Sequence, residues 1–176
     1  ADGGRGIKEL MGRDKRDPRI AALELFARRS RTTLSTLAGL LKLLGQPGLA
    51  ASLHNFGYKD THHYWQLIEA QMEYQQRFLA ALNQAESGPV DVLLCPATSL
   101  PAWTHGAARE LVTAGAYANL NNTLGYPTGV LPLTRVRAGE EVGRQPSRDI
   151  VAETARKIEQ NSAGLPIGVQ IVARPW

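Results

Sequence analysis

Cysteine is nearly absent: Cys95 is the single one in 176 residues. One thiol excludes an internal disulfide framework and any multi-cysteine metal site, and it fits a reducing compartment. No HExxH or cysteine–histidine spacing compensates for it. His62 and His63 are adjacent, which points them to different helix faces, so no metal site is expected. The opening stretch ADGGRGIKELMG is polar and glycine-rich, where a secretory leader would be basic and then apolar. It also lacks an initiator Met and begins mid-phrase. The most leucine-rich stretch, Thr32 to Leu44, is 13 residues long. Crossing a bilayer takes roughly 20 apolar residues, so this segment could lie in a membrane but not traverse one.

The usual catalytic signatures are missing as well. Seven serines, at positions 30, 35, 52, 87, 99, 147 and 162, all lie outside GxSxG or any glycine- and serine-rich elbow that would build an oxyanion hole. His105 in PAWTHGAA could serve as a general base, but no nucleophile motif lies near it. GGRG at the start lacks the preceding strand and the following Lys-Ser or Lys-Thr of a phosphate loop.

What is present is a globular composition, 43% apolar and 20% charged, in a length that suits one domain with a substantial core. The net charge of +4 is local. Residues 1–59 hold eleven Lys/Arg against five Asp/Glu, whereas residues 60–176 hold nine against eleven. Such a surplus favours an anionic partner, a membrane surface or nucleic acid, unless it is a solvated face.

Residues 18–29, PRIAALELFARR, begin with proline at a first helical turn and continue with good helix formers. In TTLSTLAGLLKLL, Leu34, Leu37, Leu41 and Leu44 form one stripe, which Leu40 and Leu43 widen; GQPG then stops the helix. GLAASLHN predicts a further short helix. Asp60 to Ala85 is the longest periodic segment, with Trp65, Ile68, Met72, Leu79 and Leu82 in one stripe. One long helix, buried over much of its circumference, is the expectation. VDVLLCPA reads as a buried strand, Gly115–Leu124 as a small-residue helix, and GVLPLTRV as a second strand. A surface loop over 138–147, a helix over 148–160 and a third strand, IGVQIVARP, complete the chain. Three strands separated by helices predict an α/β fold, and the long connections permit parallel pairing.

Several phrases together resemble one family: ADGGRG, VDVLLCPA, AYANLNNTLGYPTGVLPLTRV and the closing AGLPIGVQIVARPW. They look like the C-terminal part of an amidase-signature serine hydrolase. GLAASLHN, the Trp65-centred helix and SRDIVAETARKIEQNSAGLP resemble the fatty acid amide hydrolase branch of that family most. The resemblance covers essentially the whole chain, more loosely over its first fifty residues. It implies a partial amidase domain over 1–176, with a mixed β-sheet core surrounded by helices, and within it membrane-cap or interface helices over 18–54.

The family cleaves carboxylic amides with a Ser–cisSer–Lys triad and needs no cofactor. In the family that machinery lies upstream of the region resembled here, and none of Lys8, Lys15, Lys42, Lys59 and Lys157 has the matching context. The resemblance therefore implies no catalytic residue in this chain, which alone should be inactive. It does imply an acyl-channel wall from Val112, Gly115 and Asn119. Val151 matches a channel-gating Trp of mammalian members, and Ser52 and Phe56 match apolar positions at the channel mouth. The membrane-inserting cap of those members falls on the Leu-rich stretch, which implicates Phe26, Arg28, Arg29, Leu34, Leu37, Leu41 and Leu44. The implied partners are a lipophilic amide and a membrane surface, not nucleic acid, in a cytoplasmic or peripheral-membrane enzyme. The same leucines could instead seal a homodimer. Two rival expectations stand beside this one: a broad-specificity aryl or short-chain amidase, and a non-catalytic interaction or membrane-binding module.

Overall fold

A computed structural model describes residues 5–15, 17 and 24–175. They divide into two compact units: the residues up to Gln66 with Ser147–Glu153, and Leu67–Pro146 with Thr154 onwards. The first half of the expected helix over 18–29 falls outside the described residues; of the rest, 24–27 is helical.

The first unit contains α1 (Arg5–Met11), α2 (Arg31–Leu43) and α3 (Pro47–Leu53). Ser30 starts α2 by accepting a hydrogen bond from the Thr33 N–H at 3.1 Å, which satisfies an otherwise unpaired donor of the first turn. The helix ends where Gly45 takes a left-handed φ of 74°. The Gly45 and Gln46 amides then donate back to the Lys42 and Leu41 carbonyls at 3.0 and 2.8 Å, a Schellman closure. Pro47, whose missing N–H costs nothing at a helix start, opens α3 immediately afterwards. Leu34 and Ala38 of α2 meet Ala50 and Leu53 of α3, and Phe26, Leu37, Leu41 and Phe56 pack around them.

The second unit is built on a three-stranded sheet: β1 (Val92–Pro96), β2 (Thr128–Arg135) and β3 (Pro166–Ala173). Its order is β1-β3-β2 and both pairings are antiparallel. This corrects the parallel pairing that the long connections permit. β1 and β2, joined through α5 (Ala116–Leu124), do run in the same direction, but β3 lies between them running the other way. The register breaks at Pro132/Thr134, which leaves Leu133 in a bulge of β2.

Residues paired across an antiparallel ladder share a face. Leu93, Cys95 and Val172 therefore lie on one face, where Leu82 and Phe78 of α4 (Thr61–Asn83), Leu120 and Leu124 of α5, and Tyr126 cover them. Tyr126 and Phe78 meet edge to face, with centroids 5.9 Å apart. Gln71 and Gln75 of α4 both donate to the Thr123 carbonyl, at 3.0 and 2.7 Å, and satisfy an end of α5. Val92, Leu94, Leu131, Val169 and Ile171 share the opposite face, where Leu94 is 70% exposed. The sequence expectation of a buried β1 thus holds for one face only.

A second correction concerns α4. Only Leu82 of its 23 residues is buried, and Trp65 and Met72 stand more than half exposed. The apolar stripe is wider than the surface packed against it. The remaining helix, α6 (Ile150–Gln160), crosses from the first unit to the second, and its second-unit residues Ala155 and Ile158 are buried.

Candidate acyl channel and interfacial face

In the second unit, the residues implied as channel wall occupy one exposed face. Val112 begins a 3-10 turn, Val112–Gly115, that runs directly into α5. Spacings of three and four align Val112, Gly115 and Asn119. Leu111 and Ala114, between them in sequence, are buried and anchor the turn, whereas Val112 is 44% exposed and Asn119 also faces outwards. The Ser99 amide donates to the Ala114 carbonyl at 3.0 Å and pins the turn to the loop after β1. A Cβ added at Gly115 would meet nothing nearer than the Asn119 Nδ2, at 3.9 Å, so this face is low and open.

Two grooves lie elsewhere in the same unit, and Val112, Gly115 and Asn119 line neither. One, of about 600 Å³, runs between the loop after β1 and the strands, among Leu100, Pro101, Trp103, Val130 and Ile167. Gly168 forms its floor; a Cβ there would come within 2.9 Å of Val130 Cγ1. The other, of about 420 Å³, mixes Arg135 and Arg137 with Glu140, Glu141 and Glu159. Its carboxylates are already engaged locally: Glu140 accepts from the Arg137 amide at 2.8 Å, Glu141 from the Gly139 amide at 2.7 Å, and Arg144 holds Glu159 through two bonds of 2.8 and 2.9 Å. That pairing raises the Arg144 guanidinium above its ordinary value, against a smaller opposing effect of burial.

In the first unit, Val151 sits in the first turn of α6, Ser52 on α3, and Phe56 just beyond α3. Phe56 packs against Phe26, with ring centroids 6.0 Å apart. The Ser52 hydroxyl donates to the Gly48 carbonyl at 3.2 Å, one turn back on its own helix. Its polarity is thereby used internally, and what the position offers a ligand is mainly its Cβ. Val151 lies against Gly48, where an added Cβ would stand 2.8 Å from Val151 Cβ.

The implied interfacial residues divide between two sides of α2. Leu34 is buried, and Phe26, Leu37 and Leu41 pack on the same core. Leu44, at the C-cap where helical geometry ends, is 66% exposed and joins Leu40 and Leu43, the latter 87% exposed. Arg28, Arg29 and Lys42 are exposed on this unit as well. No helix among the described residues is long and apolar enough to cross a membrane.

Among the described residues no group of three His, Cys, Asp or Glu could hold a metal ion. Cys95 is half-buried and its Sγ accepts from Gln170 Nε2 at 3.3 Å. Sequence reasoning missed one prominent feature, the Asp149 carboxylate, which accepts backbone bonds from the starts of both α3 and α6. An aspartate directly before an apolar-periodic run signals a helix cap. Nothing local signals the second helix, whose Gly48 is 101 residues away.

An amidase family model matches residues 31–176, which include every element described above except α1. The chain belongs to the amidase family. It is 30% identical to the pig fatty-acid amide hydrolase 1 over 180 aligned residues, which cover all of this chain and 30% of that protein. It is 31% identical to the Caenorhabditis elegans fatty acid amide hydrolase 1 over 106 residues, 58% of this chain and 18% of that protein. This amidase chain thus spans less than a third of the length of either curated relative.

Proposed function

We propose that this chain supplies acyl-channel wall and an interfacial face to an amidase-signature serine hydrolase that cleaves carboxylic amides with lipophilic acyl groups. The observation that carries the reading is the similarity, along the whole chain, to a protein named fatty-acid amide hydrolase. In the reaction, a lysine removes the proton of the nucleophilic serine through a second serine. The serine oxygen attacks the amide carbonyl, backbone amides hold the oxyanion, and the amine departs protonated. Water then hydrolyses the acyl-enzyme. In this reading all three triad residues lie outside this chain, whose own contribution is apolar surface for the acyl group.

The exposed Val112–Gly115–Asn119 face supports a wall with few bulky side chains, and Val151 is far smaller than tryptophan. That smallness favours a second reading, a broad-specificity amidase for aryl or short acyl groups. The two are separated by hydrolysis of a series of primary amides, from acetyl through long-chain to aryl, by the full-length enzyme. The lipophilic reading expects kcat/KM to rise with chain length, since each buried methylene adds about 0.8 kcal/mol. A maximum at aryl or short acyl groups overturns it. A fluorophosphonate probe should label the full-length enzyme and leave the 176-residue chain unlabelled; labelling of the chain would overturn the assignment of the triad.

A further inference from the structure

Asp149 is 8% exposed, and its carboxylate is filled by backbone donors. Oδ2 accepts from the Gly48 amide at 2.7 Å, and Oδ1 accepts from the Val151 and Ala152 amides at 2.9 and 3.0 Å. A helix cap needs only the last two. The bond to Gly48 is additional, short, and made to a different helix.

Gln46 repeats the connection in parallel. Its Nε2 donates to the Arg148 carbonyl at 2.7 Å, and its Oε1 accepts from the Ile150 amide at 2.9 Å. Two side chains thus tie four backbone positions at the start of α6, 148 and 150–152, to the start of α3. The approach needs a glycine: a Cβ at position 48 would lie 2.8 Å from both Asp149 Oδ1 and Val151 Cβ. Gly48 has an ordinary negative φ, so it is space and not backbone conformation that excludes a side chain there.

We propose that Asp149 and Gln46 are positioning residues that hold Val151 against the start of α3 and thereby set the acyl-chain selectivity of the enzyme. The proposal rests on the channel reading of Ser52, Phe56 and Val151. The clasp acts on two of those positions at once. Oδ1 fixes the Val151 amide itself, and Oδ2 fixes the residue whose carbonyl receives the Ser52 hydroxyl. Loss of the carboxylate frees the start of α6 to shift along α3, so the separation of Val151 from position 52 is no longer defined. A defined opening discriminates acyl chains; an undefined one does not.

The test uses the full-length enzyme with Asp149→Ala, Asp149→Asn and Gln46→Leu, each assayed on one long-chain and one short-chain amide. The expected result for Asp149→Ala is a change of about tenfold or more in the long-to-short ratio of kcat/KM, the scale of one lost charge-assisted hydrogen bond. The change should appear in KM for the long amide, with kcat for the short one within about twofold of the parent. Asp149→Asn keeps one acceptor oxygen and should fall between. An equal loss on both amides, or an unchanged ratio in every variant that folds, overturns the proposal. If Asp149→Ala does not fold, Asp149→Asn and Gln46→Leu carry the decision by the same ratio. Val151→Trp distinguishes the two levels of failure. Should it shift chain-length preference while the clasp variants do not, the clasp inference alone is wrong; should it shift nothing, the channel reading falls and the inference with it.

Discussion

The hydroxyl of Tyr126 is buried and has no hydrogen-bond partner among the described residues, although the ring itself is well used against Phe78. Burying a hydroxyl without a partner costs about 1 to 3 kcal/mol, whereas the edge-to-face ring contact survives its removal. Tyr126→Phe in the full-length enzyme is therefore expected to leave stability unchanged or raise it by up to about 1 kcal/mol, read as the denaturation midpoint. A loss of stability would mean that the hydroxyl has a partner elsewhere in the protein. The contrast with Ser52 shows why such fates escape a sequence. Both positions carry a hydroxyl in an apolar setting, but Ser52 finds the Gly48 carbonyl one helical turn back, a bond available to any helical serine. Tyr126 extends its hydroxyl away from its own backbone, and what it meets depends on long-range packing.

At the scale of the element, α2 was largely legible. Its stop at GQPG and its leucine spacing are local signals, and Gly45 and Pro47 act as those signals imply. Which leucines face inwards was less so, because six of them span most of the helix circumference. The packing against Ala50 and Leu53 selects Leu34, Leu37 and Leu41 and leaves Leu40, Leu43 and Leu44 outside. This division yields a test of interfacial binding. Leu34→Ala should destabilise the fold by about 2 to 5 kcal/mol, as core truncations do. Replacing Leu40, Leu43 and Leu44 together by serine should leave the denaturation midpoint nearly unchanged and sharply reduce co-sedimentation of the full-length enzyme with anionic vesicles. Undiminished vesicle binding by that triple variant would overturn the proposed interfacial role of α2. The strands tell a similar story. Their positions follow from apolar runs bounded by proline and glycine, but the insertion of β3 between β1 and β2 does not, because strand order is decided by which faces the helices cover.

For the whole molecule, the sheet is the element with most left undone. Its outer strands, β1 and β2, each pair on one side only within the described sheet, and the face of Val92, Leu94 and Leu131 is exposed. Unpaired strand edges and a contiguous apolar face both promote self-association. The family resemblance was legible along nearly the entire chain, and with it the expectation of exposed strand edges, but the exposed face was not: VDVLLCPA has the composition of a strand covered on both faces. A strand so apolar on a face left exposed among the described residues argues that this face is matched to a covering layer. Two consequences can be measured. The 176-residue chain alone should scatter light and bind a hydrophobic dye at micromolar concentration, and Leu94→Lys should lessen both by charging the centre of the open face. In the full-length enzyme the same substitution should be destabilising instead, because a lysine would then be enclosed without a partner. The opposite signs separate a face that is covered in the enzyme from one that is merely exposed: if Leu94→Lys is neutral in the full-length protein, the apolar face is solvent-facing there too and the argument from strand composition fails.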